Sequence, residues 1–154
     1  MGLTRTPVFR ELAHAEIHDL LSRHNVGRIA FTFRDRVDIE PIHYVYDDGW
    51  IYMRTGAGSK LATLAHHPWV AFEVDEVEGV FDWRSVVVHG TVYALTPEGT
   101  DEHRHAYNRA VELLRDLIPE TFTSADPVPF RTVVLRLNTD EAAGRASSSA
   151  HERR

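Results

Sequence analysis

The sequence predicts a mainly β protein: a closed antiparallel barrel of six strands with helices at its periphery. Three observations carry this. Apolar residues alternate with small or polar ones in short runs, hairpin-type turns join the runs, and helical periodicity is confined to three places. Those places are the start of the chain, a short stretch after the third strand and a long stretch before the last. Parallel βαβ winding needs a crossover helix between successive strands, and this pattern lacks it. Closure also removes the edges that six short strands would otherwise expose.

The elements follow in order. Leu12, Ala15, Ile17, Leu20 and Leu21 fall on one face of a helix over Glu11–His24, which Asn25 to Gly27 end. Ile29–Phe33 is a strand, Arg34 to Arg36 turn, and Val37–Tyr46 is a second strand with Pro41 as a local interruption. Asp48-Gly49 is a strong hairpin signal, because both central residues of a type I′ turn need positive φ, so the strand opening at Trp50 pairs back antiparallel. Ser59–Ala65 reads as a short helix stopping before Pro68, and Trp69–Val77 as a strand. Glu76–Asp82 reads as an acidic, solvated turn. Ser85–Leu95 is β-rich, with Gly90 as a bulge. Thr96-Pro97-Glu98 reads as a helix start, the helix running to about Leu117, and Phe130–Leu137 is the last strand. One domain over residues 1–145 is expected, with a disordered tail rich in serine and charge over 146–154.

Composition narrows the function. A hydrophobic fraction of 43% in 154 residues supports one sizeable core, and no apolar run is long enough to span a membrane. The opening residues hold no export signal, so a cytoplasmic location is expected. With no cysteine, disulfides, thiolate catalysis and cysteine metal sites are excluded. A net charge of −6 argues against nucleic-acid binding as the main task.

The most chemical segment is Met53-Arg-Thr-Gly-Ala-Gly-Ser-Lys60, a strand entering a small-residue loop that opens a helix. Gly56, Ala57 and Gly58 allow close backbone approach, Ser59 can cap the helix, and Arg54 and Lys60 can supply countercharge to a phosphate. Lys60 is the only lysine in the chain. The spacing matches neither the Walker nor the dinucleotide pattern, and the same string serves equally as a plain strand, turn and capped helix.

In their order, the strand Asp38-Ile-Glu-Pro-Ile-His-Tyr-Val45, the hairpin Asp47-Asp-Gly-Trp50, the run Tyr52–Leu61, the strand Val70–Asp75 and the run Trp83–Gly90 resemble the split-barrel flavin-binding proteins related to pyridoxamine 5′-phosphate oxidase. The resemblance is to the small flavin-nucleotide-binding branch that includes nitroimidazole-resistance proteins, and it covers about residues 11–145. It implies FMN, with the phosphate near Arg54, Thr55, Ser59 and Lys60. The ring would lie along Glu40, Pro41, Ile42 and His43, with Ser85 and Trp83 as further neighbours. Relatives that bind F420 or haem on the same barrel keep those cofactors as alternatives. The resemblance also implies a homodimer whose second subunit completes the ring pocket.

What it implies chemically is a flavin-dependent oxidoreductase that passes electrons from NADH or NADPH to a small oxidised substrate; a non-catalytic carrier or sensor, or an F420-dependent reductase, is the alternative. Vitamin B6 oxidation is not expected. Asp38 stands where the oxidases have arginine, and the arginine- and histidine-bearing C-terminal segment that grips pyridoxal phosphate has no counterpart. No side chain is assigned as a catalytic acid or base. Among ten histidines, His14 and His18 share a helix face at metal-binding spacing, but without a further ligand in register no metal is expected. His66 and His67 are read as structural residues at a helix end, and His43 as the histidine beside the ring.

Overall fold

The computed structural model describes residues 6–64 and 69–149. Its elements are β1 (Pro7–Glu11), α1 (His14–Arg23), β2 (Val26–Phe33), β3 (Arg36–Asp47), β4 (Trp50–Thr55), α2 (Lys60–Leu64), β5 (Trp69–Gly79), β6 (Asp82–Leu95), α3 (Asp101–Leu117), β7 (Val133–Asn138) and β8 (Ala142–Ser149). The six expected strands are β2 to β7, and every neighbouring pair is antiparallel. Following the pairings β2–β3–β4–β7–β6–β5 and back to β2 closes a ring.

The inward residues of the ring alternate as expected of a pleat with one buried face. Ile29, Phe31, Ile42, Tyr44, Ile51, Met53, Phe72, Val74, Val86, Val88, Leu135 and Leu137 form one core, onto which α1 adds Ile17, Leu20 and Leu21. The Tyr44 hydroxyl, inside this core, donates to the Leu21 carbonyl at 2.7 Å, which supplies the partner that a buried phenol needs. Its ring meets Phe72 edge-on at 4.9 Å. Gly27 is dictated by this packing: a Cβ there would lie 2.3 Å from the Phe72 ring. A second cluster forms where Ala106, Ala110, Leu113 and Leu114 of α3 cover Tyr52, Leu95 and Val134. The Asp48-Gly49 hairpin is as expected, with φ of 46° and 82°.

Several expectations are corrected. The segment Ala146–Ser149, expected as tail, is the second half of β8, paired to β6 on one side and β1 on the other; residues 150–154 lie outside the described residues. Glu11 belongs to β1, so the first helix begins three residues later than expected, and Glu16 accepts the Ala13 amide at its start. Glu76 and Glu78 are not in a solvated turn but in β5, and the Asp82 carboxylate accepts from the Ser149 amide and hydroxyl. The last helix starts at Asp101, capped by the Thr100 hydroxyl, rather than at Thr96. Pro41 does not interrupt β3, whose register with β2 runs unbroken through it. Gly90 is no bulge, since its pairing with Val70 is regular; it lies where β6 changes partner from β8 to β7, and a Cβ there would press on Leu137 at 2.9 Å. The expected helix end at Ala65 to Pro68, with His66 and His67, lies outside the described residues.

Candidate functional site

β3 pairs with β4 only from Tyr44 to Asp47, then follows β2 from His43 back to Arg36, while β4 continues along β7. The two strands therefore splay beyond the Tyr44–Met53 pair, and a cleft of about 190 Å³ opens between them. Its walls include Glu40, Pro41, Ile42 and His43 from β3, and Arg54 and Thr55 from β4. Six of the ten site residues expected from sequence thus line one cavity. Val26 and Arg131, which the sequence did not single out, complete it.

The Arg54 side chain is 5% exposed and grips Asp126 with both terminal nitrogens, at 2.7 and 2.9 Å. The Asp126 carboxylate also accepts the Phe122 and Val128 amides, so all its partners are internal. The Arg54 hydrogen bonds, with these amides, hold the Asp126 carboxyl well below the usual carboxylate range. Arg54 further donates to the Arg131 carbonyl at 3.4 Å and lies over the Phe122 ring. Thr55 donates to the Ser59 hydroxyl, which in turn accepts the Ala62 amide and caps α2. Ser59 thus stands behind Thr55. Because α2 has only five residues, the aligned dipole expected to attract an anion there is short.

The other expected residues lie elsewhere. Lys60 is outside the cleft, paired with Asp38 at 2.9 Å and over the Phe33 ring. Ser85 donates to Glu73 on the neighbouring strand. Burial first, and then a hydrogen bond to the Asp75 carboxyl group, push the Glu73 pKa up. Trp83 faces Phe9 and lines a separate cavity of about 330 Å³. His14 and His18 meet at 2.7 Å between ring nitrogens, and His18 bonds to the Tyr46 hydroxyl. Among the described residues no group of three or more histidines and carboxylates is placed to hold a metal ion. No helix is long and apolar enough to cross a membrane among the described residues.

Arg131 carried a weak signal: it sits two residues before β7, in a loop that holds Pro119, Pro127 and Pro129. Only the fold brings that loop to the splayed end of β3.

A split antiparallel barrel with a cationic cleft where two strands part is thus the class that fold and site define. The family described as pyridoxamine 5′-phosphate oxidase matches residues 13–146, and the chain belongs to that family. Among solved structures, a FAD-binding protein from Mesorhizobium loti is similar over 92% of this chain and 99% of its own, at 25% identity and a TM-score of 0.70. The FAD-binding protein from Mycobacterium smegmatis is 26% identical, with 89% and 99% covered and a TM-score of 0.63. The FAD and haem binding protein from the same organism shares the fold at 19% identity and a TM-score of 0.66, with 89% and 72% covered. Comparison with proteins of curated function gives no match.

Proposed function

We propose that this chain binds a flavin nucleotide in the cleft between residues 40–43 and 54–55 and is a flavin-dependent oxidoreductase. The observation that carries the reading is the convergence of Glu40, Pro41, Ile42, His43, Arg54 and Thr55 on one cavity in a member of this family. The residues fit the group. Arg131, the His43 imidazole and the Thr55 hydroxyl offer donors to a phosphate, and the splayed β3 offers backbone to a flat ring. A bound flavin would supply electron transfer from a reduced nicotinamide to a small oxidised substrate. The protein's share is to hold the phosphate, lay the ring along β3 and limit access of water. No side chain of the cleft is assigned as an acid or base.

The pocket is completed, on this reading, by a second copy of the chain. Val37, Ile39, Val26 and Trp69 are 80, 68, 47 and 65% exposed on one outer face of the barrel, adjoining the cleft through Val26, and an apolar area of this kind supports an interface. FMN is the form that the family resemblance favours. The FAD named for two structural neighbours at 25% and 26% identity favours FAD as the second reading. Pyridoxamine phosphate is not the proposed substrate, because Asp38 stands where the oxidases have arginine and the Ala142–Ser149 strand, with Arg145 and no histidine, does not supply their arginine- and histidine-bearing segment.

The purified protein is expected to show flavin absorption. Cofactor released by heat and separated by chromatography identifies FMN or FAD, and stopped-flow mixing with NADH or NADPH is expected to bleach the bound flavin. A colourless protein that takes up neither nucleotide, or a haem Soret band in its place, would sink the reading; turnover of pyridoxamine phosphate would sink the substrate exclusion.

A further inference from the structure

We propose that Glu73 and Asp75 form a proton-operated switch in the surface that receives the second copy of the chain: docking traps one proton between the two carboxyls, so self-association is tight in mild acid and loosens as pH rises. The inference rests on the second-copy reading above and adds its regulation. On β5 the buried residues are Val70, Phe72 and Val74, so Trp69, Ala71, Glu73 and Asp75 share the outer face, and exposed Val77 follows them. Trp69 and Val77 are eight residues apart, about 27 Å at strand spacing, with Glu73 at the midpoint. Across the sheet, exposed Ile39 lies on β3, two strands to one side, and exposed Phe9 on β1, three strands to the other. Five strand spacings make this width about 24 Å, so the apolar rim encloses a patch comparable with the ~800 Å² that each partner gives to a stable interface. A second copy that covers the rim covers the carboxyls.

Within the rim, Arg28 of β2 stands opposite Glu73 in register, 3.8 Å from its carboxyl and 3.6 Å from that of Asp75. Ser85 of β6 donates to Glu73 at 2.9 Å. Glu73 and Asp75 share a hydrogen bond, and two ionised carboxylates have no donor between them, so that bond requires a proton on one of the pair. Burial and then this bond hold the Glu73 carboxyl above its ordinary 4.5, against the opposing pull of Ser85 and Arg28. Beyond these stand Arg145 of β8 in register with Ser85, Glu11 of β1 in register with Arg145, and His89 of β6 in register with Ala71, while β3 presents Pro41 opposite Arg28. With Arg28 as the cation in reach, the cluster is neutral while the proton is held and carries one negative charge once it is lost. A two-fold interface brings the same patch from both copies, so two ionised clusters would set like charges into one desolvated surface. Docking also removes water from Glu73, which raises its affinity for the proton above that in the free copy. Association is therefore favoured below the free copy's raised value and is lost as pH rises through the value in the dimer.

Sedimentation of the full-length protein over a dilution series, at about pH 5.5 and about pH 8, measures the dimer dissociation constant and its proton linkage. One proton held per copy permits roughly tenfold weakening per pH unit, and the wild type is expected to weaken by at least about tenfold between the two conditions. Glu73→Gln, which keeps a hydrogen-bonding side chain and needs no proton, is expected to change by less than about twofold over the same range, while His89→Gln keeps the wild-type slope. For a dimer too tight to separate on dilution, exchange of fluorophore-labelled subunits gives the same reading: faster at the higher pH in the wild type, and unchanged in Glu73→Gln. A constant and an exchange rate that ignore pH, a slope retained in Glu73→Gln, or a slope lost in His89→Gln would overturn the switch while the second-copy reading stands. A wild type that is monomeric under both conditions would overturn the second-copy reading itself, and the switch with it.

Discussion

Arg54 and Lys60 sit on either side of the same glycine loop, and each is paired with an aspartate. Arg54 and Asp126 are 5 and 2% exposed at the side chain and join through two parallel bonds; Lys60 and Asp38 are 55 and 32% exposed and join through one. In the first pair both charges have left water, so each depends on the other. In the second, solvent screens both charges, and the geometry contributes little. The same pairing of a cation with an aspartate at two ends of one loop therefore gives a buried strut at one end and a solvent-screened surface contact at the other.

The largest effect expected from this contrast is on thermal stability. Arg54→Met leaves Asp126 buried without its cation and is expected to lower the melting midpoint by roughly 10 °C, whereas Lys60→Met moves it by no more than about 2 °C. Calorimetry of the two variants tests this directly; equal shifts would erase the distinction.

Acid sharpens it further. The Asp126 carboxyl is held below its ordinary value of 3.8 in the folded chain, so the unfolded chain binds the proton more readily. Its contribution is complete above that ordinary value and is lost as pH falls below it. Glu16, pulled down to about 2 by Arg10, and Glu76, pulled down first by its bond to His24, act in the same direction. The variant Asp126→Asn isolates the buried pair: its midpoint is expected to be lower at neutral pH and to fall less steeply below about pH 4 than the wild type. Parallel curves for the two proteins would contradict the assignment.

The smallest effect concerns the exposed pair. A double-mutant cycle with Lys60→Met and Asp38→Asn is expected to give a coupling below about 1 kcal/mol that shrinks with added salt. A larger, salt-insensitive coupling would mean that Lys60 is held as firmly as Arg54.

Much of this molecule was legible in the chain. The six strands β2 to β7 alternate because each has one face on a shared core, and a period of two survives in the residues whatever the neighbours are. The Asp48-Gly49 turn needed only local φ preference. The β3 and β4 walls of the cleft were likewise foreseeable from the Glu40–His43 strand and the Arg54-Thr55 pair, because family resemblance acts on contiguous motifs. β1 and β8 were missed for the opposite reason. β8 reads Ala-Ala-Gly-Arg-Ala-Ser-Ser-Ser, with no apolar alternation, and becomes a strand because β6 and β1 satisfy its backbone from both sides. Thr96-Pro97 carries the local pattern of a helix start, yet the helix begins after Thr100, whose hydroxyl accepts the His103 amide.

By itself the sequence determined the barrel's strands, their hairpins, the absence of cysteine chemistry and the family, since these depend on local pattern and composition. Only the tertiary structure decided which charges meet. That Arg54 finds Asp126 seventy-two residues away, that Lys60 turns to Asp38, that Trp83 faces another cavity and that Arg131 comes to the cleft are consequences of strand pairing and loop return. Charge pairing acts over a few ångströms in space and leaves no period in the chain; hydrophobic burial acts on every second residue of a strand and does.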